Sequence, residues 1–257
     1  MALRLVTSNI RFENPADKEH DWSNRRELLV ETLLNFKADV IGTQAGREPQ
    51  LRNLEDLLPD FEMIDKHRSW IDERMYPSIY INTKSIDVIQ SGDIWLSETP
   101  HIDGSSSFNS TFPRLCTWAI LKLLATDQTF FLINTHLDHV LEETRVNQMK
   151  VLLEECSKIN VDDHPIILMG DFNSDHDSKV REEIINTWDF LHDPWHTLQL
   201  KEDSSFHRFK GVNEDGFRID WILVDRSIKT HDIYMDKTSK NGIYPSDHFP
   251  IMGIFEL

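Results

Sequence analysis

The sequence predicts an α+β domain of two packed sheets with helices on the outside. Three observations lead there. Short apolar runs bounded by turn residues outnumber the segments with helical periodicity. The helical segments come as a few isolated pieces. No linker, low-complexity stretch or convincing internal repeat divides the 257 residues, so one domain spanning 1–257 accommodates them. An apolar content of 39%, with 14 Phe and 7 Trp, supports a sizeable core and argues against disorder.

Taken in order, Leu3 to Ile10 alternates as a first strand, with Leu3, Leu5, Thr7 and Asn9 on one face. Residues 12–21 are loop. Ser23 is a fair N-cap for a helix carrying Leu29, Leu33 and Phe36 on one side. Ala38 to Gly42 is a second strand that ends in Thr43-Gln44-Ala45-Gly46, and a second helix (Leu51, Leu54, Leu58) stops at Pro59. Short apolar segments at 61–64, 78–82, 86–90, 93–97 and 115–124 read as an antiparallel meander. Phe130 to Thr135 is a strand running into His136-Leu-Asp-His139, and a helix covers 142–158. Ile166 to Met169 is long enough for a buried strand and too short for a helix. Gly170 ends it, and Asp171 and Asn173 follow on one face, with Phe172 turned into the core. A helix over 179–191 and strands over 217–224, 228–235 and 249–255 complete the chain.

Composition excludes several function classes. With 27 basic against 44 acidic residues, a formal charge of −17 and no basic cluster longer than Arg25-Arg26, avid binding to duplex DNA or an anionic membrane is disfavoured. Cys116 and Cys156 lie forty positions apart without a CxxC pattern, which reads as two reduced thiols in a reducing, cytoplasmic setting. No apolar leader region and no span of about 18 apolar residues is present. HExxH, P-loop, GxGxxG and GxSxG patterns are all missing.

The informative pattern is one of polar residues at strand ends. Asn9, Gln44, His136, Asp171 with Asn173, Asp220, and Asp247 with His248 each border an apolar run. Any one of them serves equally well as a cap, and Asp171 with Asn173 equally well as an Asx turn. Six such ends in a two-sheet protein gather at one rim. Carboxylate and amide oxygens suit a hard Mg2+ or Mn2+ ion, and two imidazoles suit a phosphate.

These segments resemble the endonuclease/exonuclease/phosphatase superfamily with its DNase I-like fold. The resemblance rests on Thr-Ser-Asn9, Gly-Thr-Gln-Ala45, Asn-Thr-His136-Leu-Asp-His139, Gly-Asp171-Phe-Asn173, Arg-Ile-Asp220 and Tyr-Pro-Ser-Asp247-His248-Phe-Pro, in order over nearly the whole chain. Trp-Leu-Ser-Glu-Thr-Pro100 and Pro-Arg114-Leu-Cys-Thr-Trp118 are similar to a bacterial-type subgroup. The resemblance implies a four-layer α/β/β/α sandwich of two mixed sheets flanked by helices, and divalent-metal-dependent phosphoester hydrolysis with Mg2+ or Mn2+. It assigns Asp171 to the attacking water, Asn173 to a phosphate oxygen, and His248, oriented by Asp220, to the phosphate. It assigns His136 to a second phosphate contact, and Asn9 and Asp247 to support of the metal. Where the family carries its metal-binding glutamate, this chain has Ala45. A methyl group cannot ligate a cation, so the chain reads as an inactivated variant, a deliberate change being favoured over natural loss because the remaining constellation is intact. The implied substrate is a phosphorylated small molecule or a single-stranded nucleic acid. The alternatives are a nuclease on DNA or RNA, and a non-catalytic phosphate-ligand-binding relative.

Beyond the motifs, Arg114 reads as a substrate contact, against the commoner fate of a rim salt bridge. His139 faces either the cleft or solvent. Arg145 reads as structural, Trp95 and Trp118 as core, and Trp22, Trp70 and Trp195 as packing residues rather than pocket walls.

Overall fold

The computed structural model describes residues 2–257. In chain order the elements are β1 (Leu3–Asn9), α1 (Trp22–Phe36), β2 (Val40–Gly46), α2 (Glu48–Asp56), β3 (Phe61–Met63), β4 (Tyr76–Asn82), β5 (Ile86–Trp95), β6 (Leu115–Leu123), β7 (Thr129–His136), α3 (Glu142–Ile159), β8 (Ile166–Asp171), α4 (Lys179–Thr187), β9 (Leu191–His192), α5 (Pro194–Thr197), β10 (Asp220–Asp225), β11 (Lys229–Met235) and β12 (Ile251–Glu256). One six-stranded sheet has the order β11-β12-β1-β2-β4-β3, the other β5-β6-β7-β8-β10-β9. Each is mixed, with one parallel pair (β1/β2, β7/β8) among antiparallel neighbours.

Three apolar layers bind four structural ones. Leu5, Val40 and Ile79 of the first sheet meet Leu121, Leu132, Ile167 and Met169 of the second. Val6, Ile41 and Tyr80 face Leu29 and Leu33 of α1 and Leu51 and Leu54 of α2. Ile133, Leu168 and Leu223 face Met149, Leu152 and Leu153 of α3 and Val180 and Ile184 of α4. Successive residues of β8 therefore serve opposite layers. That is why Ile166–Met169 is unbroken in hydrophobicity: both faces of a central strand are buried. The result is the four-layer α/β/β/α sandwich.

The repeat that escaped the sequence is topological. A two-stranded hairpin edge (β11-β12, β5-β6), a parallel strand–helix–strand unit (β1-α1-β2, β7-α3-β8) and a two-stranded flank (β4-β3, β10-β9) occur once in each sheet. The C-terminal hairpin serves the N-terminal sheet, so the two copies are out of phase along the chain.

Other expectations need correction. The stretch read as a meander divides between sheets, β3 and β4 joining the first, β5 and β6 the second. Segments 86–90 and 93–97 are one strand bent by a bulge between Val88 and Gln90. Helix α1 begins at Trp22 after Asp21, so Ser23 lies inside its first turn, and the 12–21 loop holds a 3-10 turn at Pro15–His20. Helix α4 stops at Thr187, because Trp188 is drawn into the layer under α3 and Leu191 pairs with Asp225. Strand β10 starts at Asp220, three residues later than expected, since Arg218 is engaged with Asp193 and Glu202. Gly170 has φ +144°, and a Cβ there would lie 2.1 Å from the Thr135 carbonyl oxygen, so the close β7/β8 approach at the rim requires glycine. Both cysteines are buried and unpaired, and no helix among the described residues is long and apolar enough to cross a membrane.

Candidate active site

Strand direction and register bring the polar ends together. In the parallel pairs Asn9 lies beside Gln44 and His136 beside Asp171, all at C-terminal strand ends. The antiparallel β10 enters where β8 leaves, with Asp220 opposite Asp171. β12 runs antiparallel to β1, so Ser246–His248, which precedes it, reaches the same edge. The resulting cavity, about 190 Å³, is walled by Asn9, Ala45, Arg114, His136, Asp171, Asn173, Asp247 and His248, together with Arg11, Phe12, Met75, Phe112, His139 and Phe206.

Asp171 is the hub. Its Oδ2 accepts from Asn9 Nδ2 at 2.8 Å and lies 3.4 Å from His136 Nε2 and 3.9 Å from His248 Nε2. Its Oδ1 accepts the Asn173 N–H at 2.9 Å, so the Asx turn and the site coexist in one residue. Asn173 has φ +49°, so the chain has already left the strand. It reaches the cavity through this turn rather than through the strand pleat. Phe172 goes the other way and stacks on Trp221 at 4.3 Å. Burial, reinforced by the Asp220 carboxylate, pushes the Asp171 pKa up to about 6.

His248 Nδ1 is 2.8 Å from Asp220 Oδ2. Burial alone would depress this imidazole, but the Asp220 carboxylate, with Asp171 and Asp247, overrides it and raises the pKa to about 10. His248 is thus an imidazolium at neutral pH. Asp220 stands behind it and does not touch the cavity. His136 is shifted in the opposite direction: burial and the nearby Arg114 and His248 charges hold it well below its ordinary value, hence neutral. The two histidines differ in charge although each borders Asp171.

Arg114 departs from the rim salt bridge. It is buried, its Nη2 is 3.5 Å from His139 Nδ1, and among the described residues it forms no ion pair. Burial lowers its pKa to about 10, so it stays charged at neutral pH. A guanidinium facing a cavity without a carboxylate partner is a ready anion receptor. Arg145 is structural as expected, bonding Ser174 Oγ at 2.8 Å. Trp22, Trp95, Trp118 and Trp195 are buried, and none lines the cavity.

Gln44 is not at the site. It is fully buried and donates to Thr7 Oγ1 (3.0 Å) and Asn134 Oδ1 (2.7 Å), bridging the two sheets. Sequence reasoning missed Phe12, Phe112 and Phe206, which rim the cavity from loops where an aromatic carries no periodicity. It also missed Arg25, which is fully buried and donates to the carbonyls of Ile10, Arg11, His20 and Pro245 at 2.6–2.9 Å. Arg25 ties the exit of β1 to the segment leading into His248.

A model of the endonuclease/exonuclease/phosphatase family matches residues 6–248. The chain belongs to this family. An endonuclease/exonuclease/phosphatase from Bacteroides vulgatus is 27% identical, covering 100% of this chain and 99% of its own, with a TM-score of 0.92. A mannosyl-6-phosphatase of Bacteroides thetaiotaomicron is 25% identical, covering 99% of this chain and 100% of its own, with a TM-score of 0.85. An RNA exonuclease of Saccharomyces cerevisiae is 23% identical over 94% of this chain and 86% of its own. Phosphoesterases and nucleases are thus both among the family members it resembles.

The oxygens on the Ala45 wall do not make a complete coordination set for Mg2+ or Mn2+. Ala45 offers a methyl group, and Asn9 Oδ1 accepts the Arg11 N–H at 2.9 Å. Asp247 Oδ2 lies 3.9 Å from Arg11 Nε, and Asp171 Oδ2 already accepts from Asn9 Nδ2, so both cavity carboxylates have partners within the chain. Asp171, Asp220 and His248 each bring a ligand atom within 4.8 Å of the others.

Proposed function

We propose that this site is built for hydrolysis of a phosphoester by an activated water, and that Ala45 leaves this chain a weakened form of such an enzyme. One observation carries the reading. A carboxylate with a pKa near 6 shares one cavity with three separate N–H donors suited to phosphate oxygens: the His248 imidazolium, the Arg114 guanidinium and the Asn173 amide. In this scheme Asp171 orients the water and takes its proton, its pKa lying close to working pH. His248, held by Asp220, and Arg114 neutralise charge gathering on the equatorial oxygens. Asn173 Nδ2, which donates to Leu137 O at 3.1 Å, holds one of them, and neutral His136 donates to another oxygen or to the leaving group. With a carboxylate at position 45 the site would hold a divalent ion, which would supply Lewis-acid charge to the phosphoryl group. Asn9 and Asp247 are the residues on hand to hold it, and a carboxylate at position 45 is what the set lacks.

The substrate class that fits is a phosphorylated small molecule or a single-stranded end. The cavity is small, three phenylalanines rim it, and the chain carries a charge of −17, which disfavours tracking along a duplex. A sugar phosphate is supported by the bacterial mannosyl-6-phosphatase relative, a nucleic-acid end by the yeast exonuclease. The two buried free thiols suit a cytoplasmic setting.

The test is Ala45→Glu. Ala45 lines the cavity at φ +66°, so glutamate inherits a backbone cost of about 1 kcal/mol that alanine already carries. Both forms are assayed with Mg2+ and with Mn2+ on hexose phosphates, nucleotides, phospholipids, and single- and double-stranded DNA and RNA. Metal-dependent turnover that rises at least about 100-fold in Ala45→Glu is expected, strongest on a small or single-stranded substrate. A variant inert towards every phosphoester overturns the reading. Phosphate-ligand binding without turnover in both forms favours the one specific alternative, a binding protein that dispenses with the metal, for which Ala45 itself speaks.

A further inference from the structure

A second cluster of metal-ligating side chains lies outside the cavity. His176 sits in the turn between β8 and α4, His196 on α5, and Glu202 in the loop that follows. One ligand atom from each lies within 4.8 Å of the other two. The two imidazole rings stand nearly perpendicular, 5.2 Å apart at their centroids, and His196 Nε2 is 3.1 Å from Glu202 Oε1. None of the three lines the candidate active site.

Glu202 and the helix that carries His196 are held by a buried framework. Glu202 accepts from Arg218 Nε at 3.0 Å and from Arg218 Nη2 at 2.8 Å. The fully buried Arg218 is itself fixed on Asp193 Oδ2 at 2.8 Å, and Asp193 Oδ1 caps α5 through the Trp195 N–H. Trp195 Nε1 in turn donates to Lys201 O, next to Glu202, at 3.1 Å. The carboxylate is therefore oriented from behind by Arg218, as outer partners orient ligands in metal sites, and the helix that carries His196 is fixed by its cap. An isolated exposed His–Glu pair is worth about 0–1 kcal/mol and has no use for such a framework or for a third ligand.

From this geometry we propose that His176, His196 and Glu202 form a Zn2+ site, separate from the catalytic cavity, that clamps the turn after Asn173 to α5. Two imidazoles and one carboxylate suit a borderline ion such as Zn2+ rather than Mg2+ or Ca2+, and water fills the fourth tetrahedral position. Zinc–ligand bonds of about 2.0–2.1 Å need donor atoms about 3.3 Å apart. The spread of up to 4.8 Å closes by rotation of His176, which is half-buried on a turn and whose one ion-pair contact is 3.4 Å to the exposed Asp177. The clamp joins the segment leaving β8, which carries Asp171 and Asn173, to Arg218, two residues before Asp220.

The test titrates ZnCl2 into the full chain in the Asp171→Asn background, which takes one carboxylate from the competing Asp171–Asp220–His248 cluster. Binding is followed by competition with a chromophoric chelator, and the visible spectrum is recorded with Co2+ as a probe. The expected result is one equivalent bound, a tetrahedral Co2+ spectrum and a zinc-dependent rise in thermal stability. His176→Ala and His196→Ala each weaken binding by roughly 100-fold or more. His176→Ala lies on a turn outside the Arg218 framework, so its loss of binding is not a folding defect. Absence of saturable zinc binding at micromolar concentrations overturns the proposal. So does binding that both histidine variants leave unchanged.

Discussion

Replacing Asp171 with asparagine is expected to stabilise the protein at neutral pH and to lose that advantage in acid. Burial and the facing Asp220 carboxylate raise the Asp171 pKa from 3.8 to about 6 in the folded chain. A folded-state pKa raised above the unfolded one contributes stability that is fully present below the unfolded value and lost as pH rises through the folded value. At about 1.36 kcal/mol per pH unit, the charged carboxylate costs about 3 kcal/mol above pH 6. Asparagine removes that cost. It also has one acceptor oxygen, where Asp171 uses two, for Asn9 Nδ2 at 2.8 Å and for the Asn173 N–H at 2.9 Å. One donor then faces an NH2 group, which offsets the gain by about 1 kcal/mol. The net is about +2 kcal/mol at pH 8, or a Tm higher by roughly 4–8 °C, falling to zero or slightly negative at pH 4. Urea denaturation followed by tryptophan fluorescence at pH 4, 6 and 8 reads the difference directly. A difference that does not vary with pH, or an Asp171→Asn protein less stable than its parent at pH 8, refutes the assignment of Asp171 as a buried carboxylate held against its charge. In the Ala45→Glu background the same substitution is expected to abolish turnover.

Asp220→Asn removes the largest charge that raises the His248 pKa, so an NMR titration of the His248 Cε1–H should move down from a midpoint near 10. Because the folded His248 pKa is raised, the stability it contributes is complete below 6.5 and lost as pH rises through about 10. Asp220→Asn should therefore cost most at pH 6–7, and a cost that grows towards pH 10 would contradict the pairing. Gly170→Ala adds a Cβ 2.1 Å from the Thr135 carbonyl at φ +144°, and a loss of at least about 3 kcal/mol, or failure to fold, is expected in denaturant melts. Arg25→Lys replaces a fork serving four carbonyls by a single ammonium and should cost about 2–4 kcal/mol, measured by the same melts. Near-wild-type stability would show that water takes over the carbonyls.

The central strands were legible in the residues alone, because a strand buried on both faces must be apolar throughout, as Ile166–Met169 is. The family was legible too, through the resemblance of Gly-Asp-Phe-Asn and Ser-Asp-His-Phe-Pro to its motifs. The clash between local hydrophobicity and local polarity is legible without coordinates. Gln44 bears the same signature as Asp171 yet bridges the sheets instead of facing the cavity, because register and facing direction are set by the partner strand. Folding alone makes His136 neutral while His248 is charged, turns Arg114 to the cavity without a carboxylate, and brings Phe12, Phe112 and Phe206 around it. Those properties depend on which groups, distant in sequence, come within a few ångströms of each other. Burial and Coulomb interaction act over distance in space, and separation along the chain does not report it.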